Sequence, residues 1–495
     1  MSVSPETSFD SHNPATGEVC FTFAINTAEE VNEIVAQART AAFTWQELGF
    51  AGRKKILIAW SSLLTKRLNE CATLVARETG KPIGDAKLEA ALAIEHLVWA
   101  ANSAQEVLKT QRRRPGILMA NMEARVERSP MGIVGVIGPW NYPVFTPMGF
   151  ISYALAAGNT VIFKPSEYST AVGKWITDTF SEVAPSEGIL SLITGLGETG
   201  KTLCESAVDK IGFTGSTNTA KLVARSCATQ LTPVILECGG KDPVIVDADA
   251  DVETAADYSL WSAMANAGQS CIGAERIYVH EKVAAHFIQV LLERAKNIHP
   301  GPPGTGSYGP TTMPKQIDVI ESHIADALAR GGKAILGGMK SIKPPYVEPV
   351  ILIDVPEDSI AMTEETFGPV IIINKVKDSA EAIALANSSA YGLGASVWSK
   401  RNGEEIASKL QCGMVGINST FIFAAVPSVP FGGVKASGYG RAHGPEGLLE
   451  FTYARTVVRT RFKLPIDLTS FRRTKFTEQL IIGLVKLLHR KRNIK

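Results

Sequence analysis

The chain has 495 residues, of which 45% are hydrophobic, and its 50 basic residues nearly balance 49 acidic ones. A chain of this length can bury a large core and should form two or more domains, whereas its balanced charge excludes a general attraction to nucleic acid. It shows neither a signal-peptide pattern at its start nor an apolar run of the roughly 20 residues that cross a bilayer, so we expect a cytoplasmic protein.

Helical and extended patterns alternate along the chain. Residues 28–48 and 51–110 are rich in alanine and leucine and carry charges at helical spacing, which predicts long helices. Residues 124–137 predict an extended hairpin that turns at Pro130-Met-Gly132. Short apolar runs that predict buried strands follow at Thr160–Phe163, Leu190–Thr194, Lys210–Phe213 and Val234–Leu236. With a second alternating set from about 242 to 448, this pattern predicts an α/β fold with doubly wound parallel sheets and ligands at the carboxyl ends of the strands.

One segment after a predicted strand matches the phosphate-binding loop of nucleoside triphosphatases. Residues Gly195–Thr202 satisfy the pattern GxxxxGK[ST], in which backbone amides and the lysine hold phosphate. A sheet of that class also needs an apolar strand that ends in a magnesium-binding aspartate, and the sequence offers none in a suitable place. An NTPase therefore stays a remote alternative.

Two further motifs indicate covalent chemistry. Cys271 lies in Asn266-Ala-Gly-Gln-Ser-Cys-Ile-Gly-Ala-Glu-Arg276, where small residues leave room for a substrate to reach the sulfur. Glu237, 34 residues earlier, lies in Leu236-Glu-Cys-Gly-Gly-Lys241 and could serve as the base that a cysteine mechanism needs. The seven cysteines are scattered and lack metal-ligand spacing, which predicts reduced thiols and no metal site.

These two motifs, in this order and at this spacing, resemble the catalytic segments of the aldehyde dehydrogenase family, and the resemblance covers about residues 10–460. It implies that an aldehyde is oxidised to the carboxylic acid with NAD(P)+ through a thiohemiacetal and a thioester on Cys271, which water activated by Glu237 then hydrolyses. In Gly138-Pro-Trp-Asn-Tyr-Pro143, it implies that the Asn141 amide is half of an oxyanion hole and the Cys271 backbone N–H the other half. Cys238 and Asp242, which flank the base, depart from the residues most common in the family.

The resemblance also implies a dinucleotide site that is distributed over several loops. Lys164 and Glu167 in Ile162-Phe-Lys-Pro-Ser-Glu167 would hold the adenosine ribose, and a carboxylate there repels a 2′-phosphate. Glu167 therefore favours NAD, and NADP stays open because the family contains members that use both. The residues implied to bind the cofactor are Ile137, Trp140, Lys164, Ser166, Glu167, Gly197, Gly200, Phe213, Gly215, Ser216, Glu365 and Phe367.

By the same resemblance, residues 1–118 and 132–237 form the NAD-binding domain and 238–448 the catalytic domain. Residues 119–131 and 449–462 would form a small β arm through which the chain assembles as a homodimer or homotetramer.

The resemblance implies that the substrate is a small-molecule aldehyde, with candidate contacts at Tyr142, Phe145, Phe421 and Phe423. The segment 418–425 carries no arginine, and Gly149 stands where some family members place a large tunnel-lining tryptophan. These features predict a wide apolar mouth for a medium-chain, long-chain or bulky aldehyde. Two alternatives stay open. Phe421 and Phe423 could instead be core residues. The chain could also be a succinate-semialdehyde dehydrogenase, because it resembles that branch in Glu365-Thr-Phe-Gly-Pro-Val370 and Arg441-Ala-His-Gly-Pro-Glu-Gly447.

The tail, residues 463–495, differs from the rest of the chain. Residues 480–488 are apolar except for Gly483 and Lys486, and basic clusters flank them. Nine helical residues cover about 14 Å, too little to cross a bilayer. The segment 470–495 therefore predicts either a helix in the surface of an anionic membrane or a helix docked on a partner subunit.

Overall fold

The computed structural model describes residues 7–302, 304–463 and 470–489. Within these ranges the helices are α1 (Ala28–Glu47), α2 (Gly49–Lys66), α3 (Leu68–Thr79), α4 (Ile83–Val107), α5 (Phe145–Ala157), α6 (Thr170–Ser181), α7 (Gly197–Glu205), α8 (Thr217–Ala228), α9 (Val252–Met264), α10 (Glu281–Ala295), α11 (Lys315–Ala329), α12 (Ile360–Thr363), α13 (Ser379–Asn387), α14 (Gly403–Ser408), α15 (Ile422–Ala425), α16 (Gly444–Glu450) and α17 (Lys475–Leu488). The strands are β1 (Ser8–His12), β2 (Val19–Ala24), β3 (Gln111–Arg113), β4 (Met122–Pro130), β5 (Ile133–Ile137), β6 (Thr160–Lys164), β7 (Leu190–Leu192), β8 (Lys210–Thr214), β9 (Val234–Glu237), β10 (Pro243–Val246), β11 (Arg276–His280), β12 (Lys333–Leu336), β13 (Ile342–Lys343), β14 (Tyr346–Val347), β15 (Val350–Ile353), β16 (Val370–Val376), β17 (Gly394–Trp398), β18 (Met414–Ile417), β19 (Gly438–Tyr439) and β20 (Thr452–Thr460).

The first predicted helix is confirmed, and a capping box of Thr27 and Glu30 starts it. The helical region predicted over 51–110 is three helices. Gly80 ends α3 with a left-handed φ of 73°, and a Cβ at this position would lie 2.4 Å from Pro310 Cδ. A glycine is required there, and Pro82 then starts α4.

A mostly parallel sheet carries the first predicted set of strands, in the order β19-β9-β8-β5-β6-β7. The four predicted strand runs are confirmed as β6, β7, β8 and β9. The chain leaves β5 in one direction for β6 and β7, and β8 and β9 lie on the other side. The strand order therefore reverses beside β5, and ligands bind in the crevice at such a reversal.

A second sheet has the order β12-β15-β16-β11-β10-β17-β18, and only the β12–β15 pair is antiparallel. The predicted fold class, α/β with two doubly wound parallel sheets, is therefore confirmed. Glu237 ends β9 of the first sheet, and Pro243 begins β10 of the second. The short glycine segment 238–242 thus connects the two sheets.

The hairpin predicted over 124–137 is wrong. β4 joins β3 and β20 in a three-stranded sheet, whereas β5 pairs in parallel with β6 and β8. Gly132, the predicted turn residue, is needed for a different reason. Asp209 Oδ2 accepts the Ile133 N–H at 2.6 Å, and a Cβ at Gly132 would lie 2.1 Å from that oxygen.

The chain divides into two compact units. One contains residues 1–108 and 130–453 and holds both large sheets, and the other contains residues 109–129 and 454–495 and holds most of the three-stranded arm. The strand predicted near 449–462 is β20. The boundary proposed at residue 237, inside the first unit, stays a prediction.

In the second unit, α17 is an amphipathic helix that Thr474 caps, and it contains no buried residue. Phe476 is 73% exposed and Leu487 is 71% exposed. In the described ranges, no helix combines the length and the apolar character that a membrane crossing requires.

Candidate active site

The carboxyl ends of the central strands form one edge of the first sheet. Ile137 at the end of β5 lies beside Lys164 of β6 and Phe213 of β8, and Thr214 pairs with Glu237 of β9. The predicted cofactor residues Ile137, Lys164 and Phe213 are thus brought together. Their common edge is also where the catalytic candidate Glu237 emerges.

Two helices begin at this edge, and the amino end of the first, α7, leaves room in front of it. A Cβ at Gly197, the first residue of α7, would meet no atom within 4 Å, and one at Gly200 would lie 3.5 Å from Lys164 Cδ. Ser216 caps α8 by accepting the Thr219 N–H at 3.2 Å. Helix amino ends that face open space suit a pyrophosphate, so the residues present fit a dinucleotide.

The structure removes the basis of the NTPase alternative. The segment Gly195–Thr202 is helical from Gly197 onward, and the Gly200 N–H donates to the Leu196 carbonyl instead of pointing into a loop. Lys201 is about half exposed, and its ammonium pairs with Glu198 at 2.8 Å. Neither the backbone nor the lysine is therefore arranged to hold phosphate as a P-loop does.

Aromatic rings and a buried carboxyl group lie on the other side of the predicted cofactor site. The ring of Trp140 meets that of Phe367 edge-on, with centroids 5.6 Å apart. Glu365 accepts the Gly240 N–H at 3.0 Å, and a Cβ at Gly239 would lie 2.1 Å from its other oxygen. Burial and the nearby Glu275 raise the pKa of Glu365 to about 8.

The Cys271 thiol is half-buried and packs against an apolar cluster, together with Phe145, Phe421 and Phe423. Burial raises its pKa well above the usual value, and the charges of Glu365, Asp242 and Glu237 raise it further. The thiol is therefore protonated at neutral pH in this arrangement. It needs a proton acceptor before it can act as a nucleophile.

Glu237 is a buried carboxyl group with one occupied and one spare oxygen. Oε2 accepts the Thr214 hydroxyl at 3.4 Å, and among the described residues nothing bonds to Oε1. Burial raises its pKa to about 8. A carboxyl group that exchanges its proton near neutral pH is suited to general base catalysis.

Asn141 is tied to the loop that carries Cys271. Its Nδ2 donates to the Gln269 carbonyl at 3.0 Å, two residues before the cysteine. The main-chain carbonyl of Asn141 accepts a hydrogen bond from Asn266 Nδ2 at 3.0 Å. Asn266 and Ala267 adopt left-handed φ angles of 55° and 57°, which turn the chain sharply before Cys271. The structure thus holds the Asn141 amide against the Cys271 loop, and its role as an oxyanion donor stays a prediction.

Comparison with known proteins agrees with this geometry. The aldehyde dehydrogenase family profile matches residues 2–457. The chain is 36% identical to 4,4'-diapolycopene aldehyde oxidase of Methylomonas sp, with 92% of this chain and 86% of that protein covered. It is 32% identical to the succinate-semialdehyde dehydrogenase [NADP(+)] of Deinococcus radiodurans, with 92% and 96% covered.

Among solved structures, an NAD-dependent aldehyde dehydrogenase from Sinorhizobium meliloti superposes with a TM-score of 0.89 at 31% identity, covering 94% of this chain and 93% of that one. This chain belongs to the aldehyde dehydrogenase family. It is an NAD(P)-dependent aldehyde dehydrogenase, which oxidises an aldehyde to the carboxylic acid.

The substrate side of this aldehyde dehydrogenase corrects one prediction. Gly149 does not leave an open mouth, because a Cβ at this position would lie 2.4 Å from His443 Nε2. The imidazole of His443 fills the space, and it stacks on His96 with ring centroids 4.1 Å apart. His443 comes from a distant part of the chain, so no local pattern could have indicated it.

The anchor loop, residues 418–430, presents the two predicted phenylalanines. Phe421 adopts a φ of 61°, and its ring meets the ring of Trp261 edge-on at 5.1 Å. Both phenylalanines are half-buried and pack against the core cluster, so the alternative that they are core residues stays open. Two core side chains hold the loop backbone: His96 Nε2 lies 3.1 Å from the Ala424 carbonyl, and the Tyr153 hydroxyl donates to the Pro427 carbonyl at 3.0 Å.

The predictions missed several residues of this site: Lys81, Glu89, His96, Trp261 and His443. Trp261 is 55% exposed on α9, and a large aromatic residue on a charged helix surface is the kind of signal that could have indicated it. The other four act through contacts between distant segments, which a single sequence does not reveal.

Proposed function

We propose that Cys271 is the nucleophile, Glu237 the general base and Asn141 an oxyanion donor of this aldehyde dehydrogenase. The observation that supports this most directly is the convergence of the three residues at one edge of the first sheet, with the Asn141 amide bonded to the Cys271 loop. The Cys271 thiol first loses its proton to solvent. The thiolate then adds to the aldehyde carbon, and the carbonyl oxygen takes the charge and accepts bonds from the Asn141 amide and the Cys271 N–H.

Lys164, Glu167, Glu365 and Phe367 would hold NAD(P)+, which accepts the hydride of the aldehyde carbon when it is bound. Oxidation of the thiohemiacetal gives a thioester on Cys271. Glu237 then takes a proton from the water that attacks the thioester carbon, and the acid leaves as the sulfur is released.

We infer that the substrate is a medium-chain, long-chain or bulky apolar aldehyde. The half-buried ring of Phe421 and the exposed ring of Trp261 form an apolar wall, and Phe423 packs with Cys271 against one cluster. Arg441 follows the anchor loop, and its guanidinium is already bonded to the carbonyls of Gly433 and Gly440. It is therefore poorly placed to bind the far carboxylate of a semialdehyde.

A chain-length series tests this substrate class. We expect kcat/KM for linear aldehydes to rise by up to about fourfold per added CH2, the limit set by about 0.8 kcal/mol per buried methylene. Trp261→Ala should flatten the series, whereas Tyr258→Ala, an exposed aromatic three residues earlier on the same helix, should not. A higher kcat/KM for succinate semialdehyde than for every apolar aldehyde would favour the activity named for the Deinococcus relative.

We also propose that α17 attaches the enzyme to an anionic membrane surface. Phe476, Leu480 and Leu487 lie on one side of the helix and are at least 46% exposed. Arg472, Arg473 and Lys475 lie at its start. The remaining basic residues of the tail, Arg490, Lys491, Arg492 and Lys495, lie outside the described residues. A 14-residue amphipathic helix with basic flanks suits an interface of anionic headgroups.

Vesicle flotation tests the membrane proposal with a matched pair of variants. The full chain should float with phosphatidylserine-containing vesicles at low salt and stay behind with phosphatidylcholine alone. Leu480→Gln combined with Leu487→Gln should abolish flotation. Ile482→Gln should leave flotation unchanged, because Ile482 lies on the polar side of the helix. It is a matched control, since Ile482 is also about half exposed. Flotation unaffected by the double substitution, or a change of oligomeric state without any flotation, would favour docking on a partner subunit.

We further propose that the arm mediates a homodimer or homotetramer. β20 is an edge strand of the three-stranded sheet, and Val458 and Phe462 are more than half exposed. Light scattering should show an oligomer for the full chain, and Val458→Glu should dissociate it. A monomeric full chain would contradict this proposal.

A further inference from the structure

A buried ion pair lies beneath the Asn141 loop and takes no part in the chemistry proposed above. Lys81 lies just before α4, and Glu89 lies two turns into that helix. Their side chains form a salt bridge, and each is only 1% exposed. The Lys81 ammonium also lies 4.0 Å from the centre of the Tyr142 ring. Such complete burial of two opposite charges calls for a physical reason.

The pair holds the loop between β5 and α5 by its main chain. Lys81 Nζ donates to the Asn141 carbonyl at 2.9 Å. The carboxylate oxygen of Glu89 that lies outside the salt bridge, Oε1, accepts the N–H groups of Val144 and Phe145 at 2.8 and 3.2 Å. One ion pair thus bonds to the main chain at both ends of the five-residue segment from Asn141 to Phe145. This segment contains the oxyanion candidate and two substrate candidates.

Stability alone does not account for this arrangement. Taking two charges out of water costs several kcal/mol per ion, and an apolar pair of similar volume often stabilises a protein equally well. What an apolar pair cannot do is hold a carbonyl oxygen and two N–H groups at set positions. An oxyanion donor is effective only within about 0.5 Å of its working position, so a loop that carries one benefits from directional bonds.

We propose that Lys81 and Glu89 are positioning residues, which set the Asn141 amide where the substrate oxygen acquires its charge. This inference rests on the proposed oxyanion role of Asn141. Lys81 fixes the main chain of Asn141 from one side, and the bond from its amide to Gln269 fixes its side chain from the other. Removing the Lys81 ammonium breaks the bond to the Asn141 main chain and leaves the bond from the Asn141 side chain to Gln269.

A double-mutant cycle measures this coupling directly. The readout is the first-turnover burst of NADH with propanal, a short aldehyde whose use does not depend on the proposed preference for long chains. Lys81→Met should slow the burst by about 10- to 100-fold, below the roughly 100- to 1000-fold effect of losing an oxyanion donor altogether. In an Asn141→Ala background the same change should slow it by less than about threefold, because residues in one network are not additive.

Two controls separate positioning from a loss of structure. Lys210→Met breaks another largely buried ion pair, Lys210 with Glu450, and should lower the melting temperature without slowing the burst. NAD affinity of Lys81→Met, measured by fluorescence titration, should match that of the wild-type enzyme. If Lys81→Met does not fold, Glu89→Gln keeps the shape of the side chain and should show the same background-dependent slowing.

The outcomes distinguish this inference from the function on which it rests. A slow burst in Asn141→Ala with a wild-type burst in Lys81→Met would overturn the positioning role alone. Equal slowing by Lys81→Met in both backgrounds would also overturn it, since the ion pair would then act on something other than Asn141. A wild-type burst in Asn141→Ala would remove the oxyanion role and the positioning inference together.

Discussion

The catalytic loops and the C-terminal helix use charge and apolar surface in opposite ways. Around Cys271, charged groups are buried and bonded to the main chain, as in the Lys241–Glu275 pair, which holds Thr366 and Phe367. In α17, charged groups face solvent and apolar side chains such as Phe476 are exposed. The first region is ordered by buried polar contacts, whereas α17 contains no buried residue.

From this contrast we expect the chemistry and the proposed membrane attachment to be separable in this enzyme. A substitution in the buried network should change rate constants and leave vesicle binding intact, and a substitution in α17 should do the reverse.

Cys271→Ala should have the largest effect. We expect loss of NAD-dependent aldehyde oxidation by at least about 10⁴-fold, because no other group can carry the acyl intermediate. NAD binding and flotation with anionic vesicles should be unchanged. Residual turnover near the wild-type rate would contradict the role of Cys271, and loss of flotation would show that the two regions are coupled.

Glu237→Gln should give a burst of NADH followed by steady turnover about 10²- to 10⁴-fold slower than in the wild-type enzyme. Burial raises the pKa of Glu237 to about 8, and only the ionised carboxylate can accept a proton. The wild-type deacylation rate should therefore rise as pH increases through about 8, and the Gln variant should lose this rise. Steady turnover at the wild-type rate would mean that another group acts as the base.

Replacing glycine by alanine should destabilise the catalytic region and stabilise α17. Gly149→Ala forces a Cβ onto the His443 imidazole and should lower the free energy of unfolding by about 2 kcal/mol, as overpacking typically does. Gly483→Ala in α17 meets no atom within 4 Å and should stabilise that helix by about 0.5–1 kcal/mol. Urea unfolding measures the first effect, and amide hydrogen exchange in 484–488 measures the second.

His443→Ala provides the control for Gly149→Ala. Adding it should restore part of the lost stability, because it removes the atom that the new methyl group meets. A Gly149→Ala variant as stable as the wild-type enzyme would mean that the imidazole moves aside freely.

Glu167→Ser should have the smallest effect on catalysis. We expect the ratio of kcat/KM for NADP to that for NAD to rise about tenfold, which corresponds to removing a charge repulsion of about 1–2 kcal/mol near the surface. In the structure, the Ser166 hydroxyl donates to the Glu167 carboxylate at 3.2 Å, which holds the charge at the end of β6. A wild-type enzyme that prefers NADP would contradict the proposed role of Glu167.

The sequence predicted best what is local or carried by a long motif. The runs at β6, β7, β8 and β9 are short, apolar and bounded by turns, so their strand character follows from their own residues. Glu237 ends β9 and Asn141 follows β5, so the positions of these two residues follow from predicted strand runs, whereas Cys271 follows α9 and a sharp turn at Asn266 and Ala267.

Pairing between distant segments was beyond the reach of local patterns. The apolar run of β5 fits a hairpin with β4 as well as a central strand, and its register with β6 and β8 depends on the whole sheet. Position 149 predicts an empty space because the residue that fills it, His443, lies almost 300 residues later in the sequence. The Lys81–Glu89 pair gave no signal, since charged residues at helical spacing usually face solvent.

The anchor loop depends for its position on side chains from two helices far away in sequence. Since His96 and Tyr153 bond to the carbonyls of Ala424 and Pro427, the loop's shape is specified jointly by 418–430 and by those two positions. A loop transplanted from a relative with a different substrate would bring its own side chains without the partners that shape its backbone. The shape of the anchor loop in this enzyme therefore depends on three segments that lie far apart in sequence, and a redesign of the loop should exchange all three together.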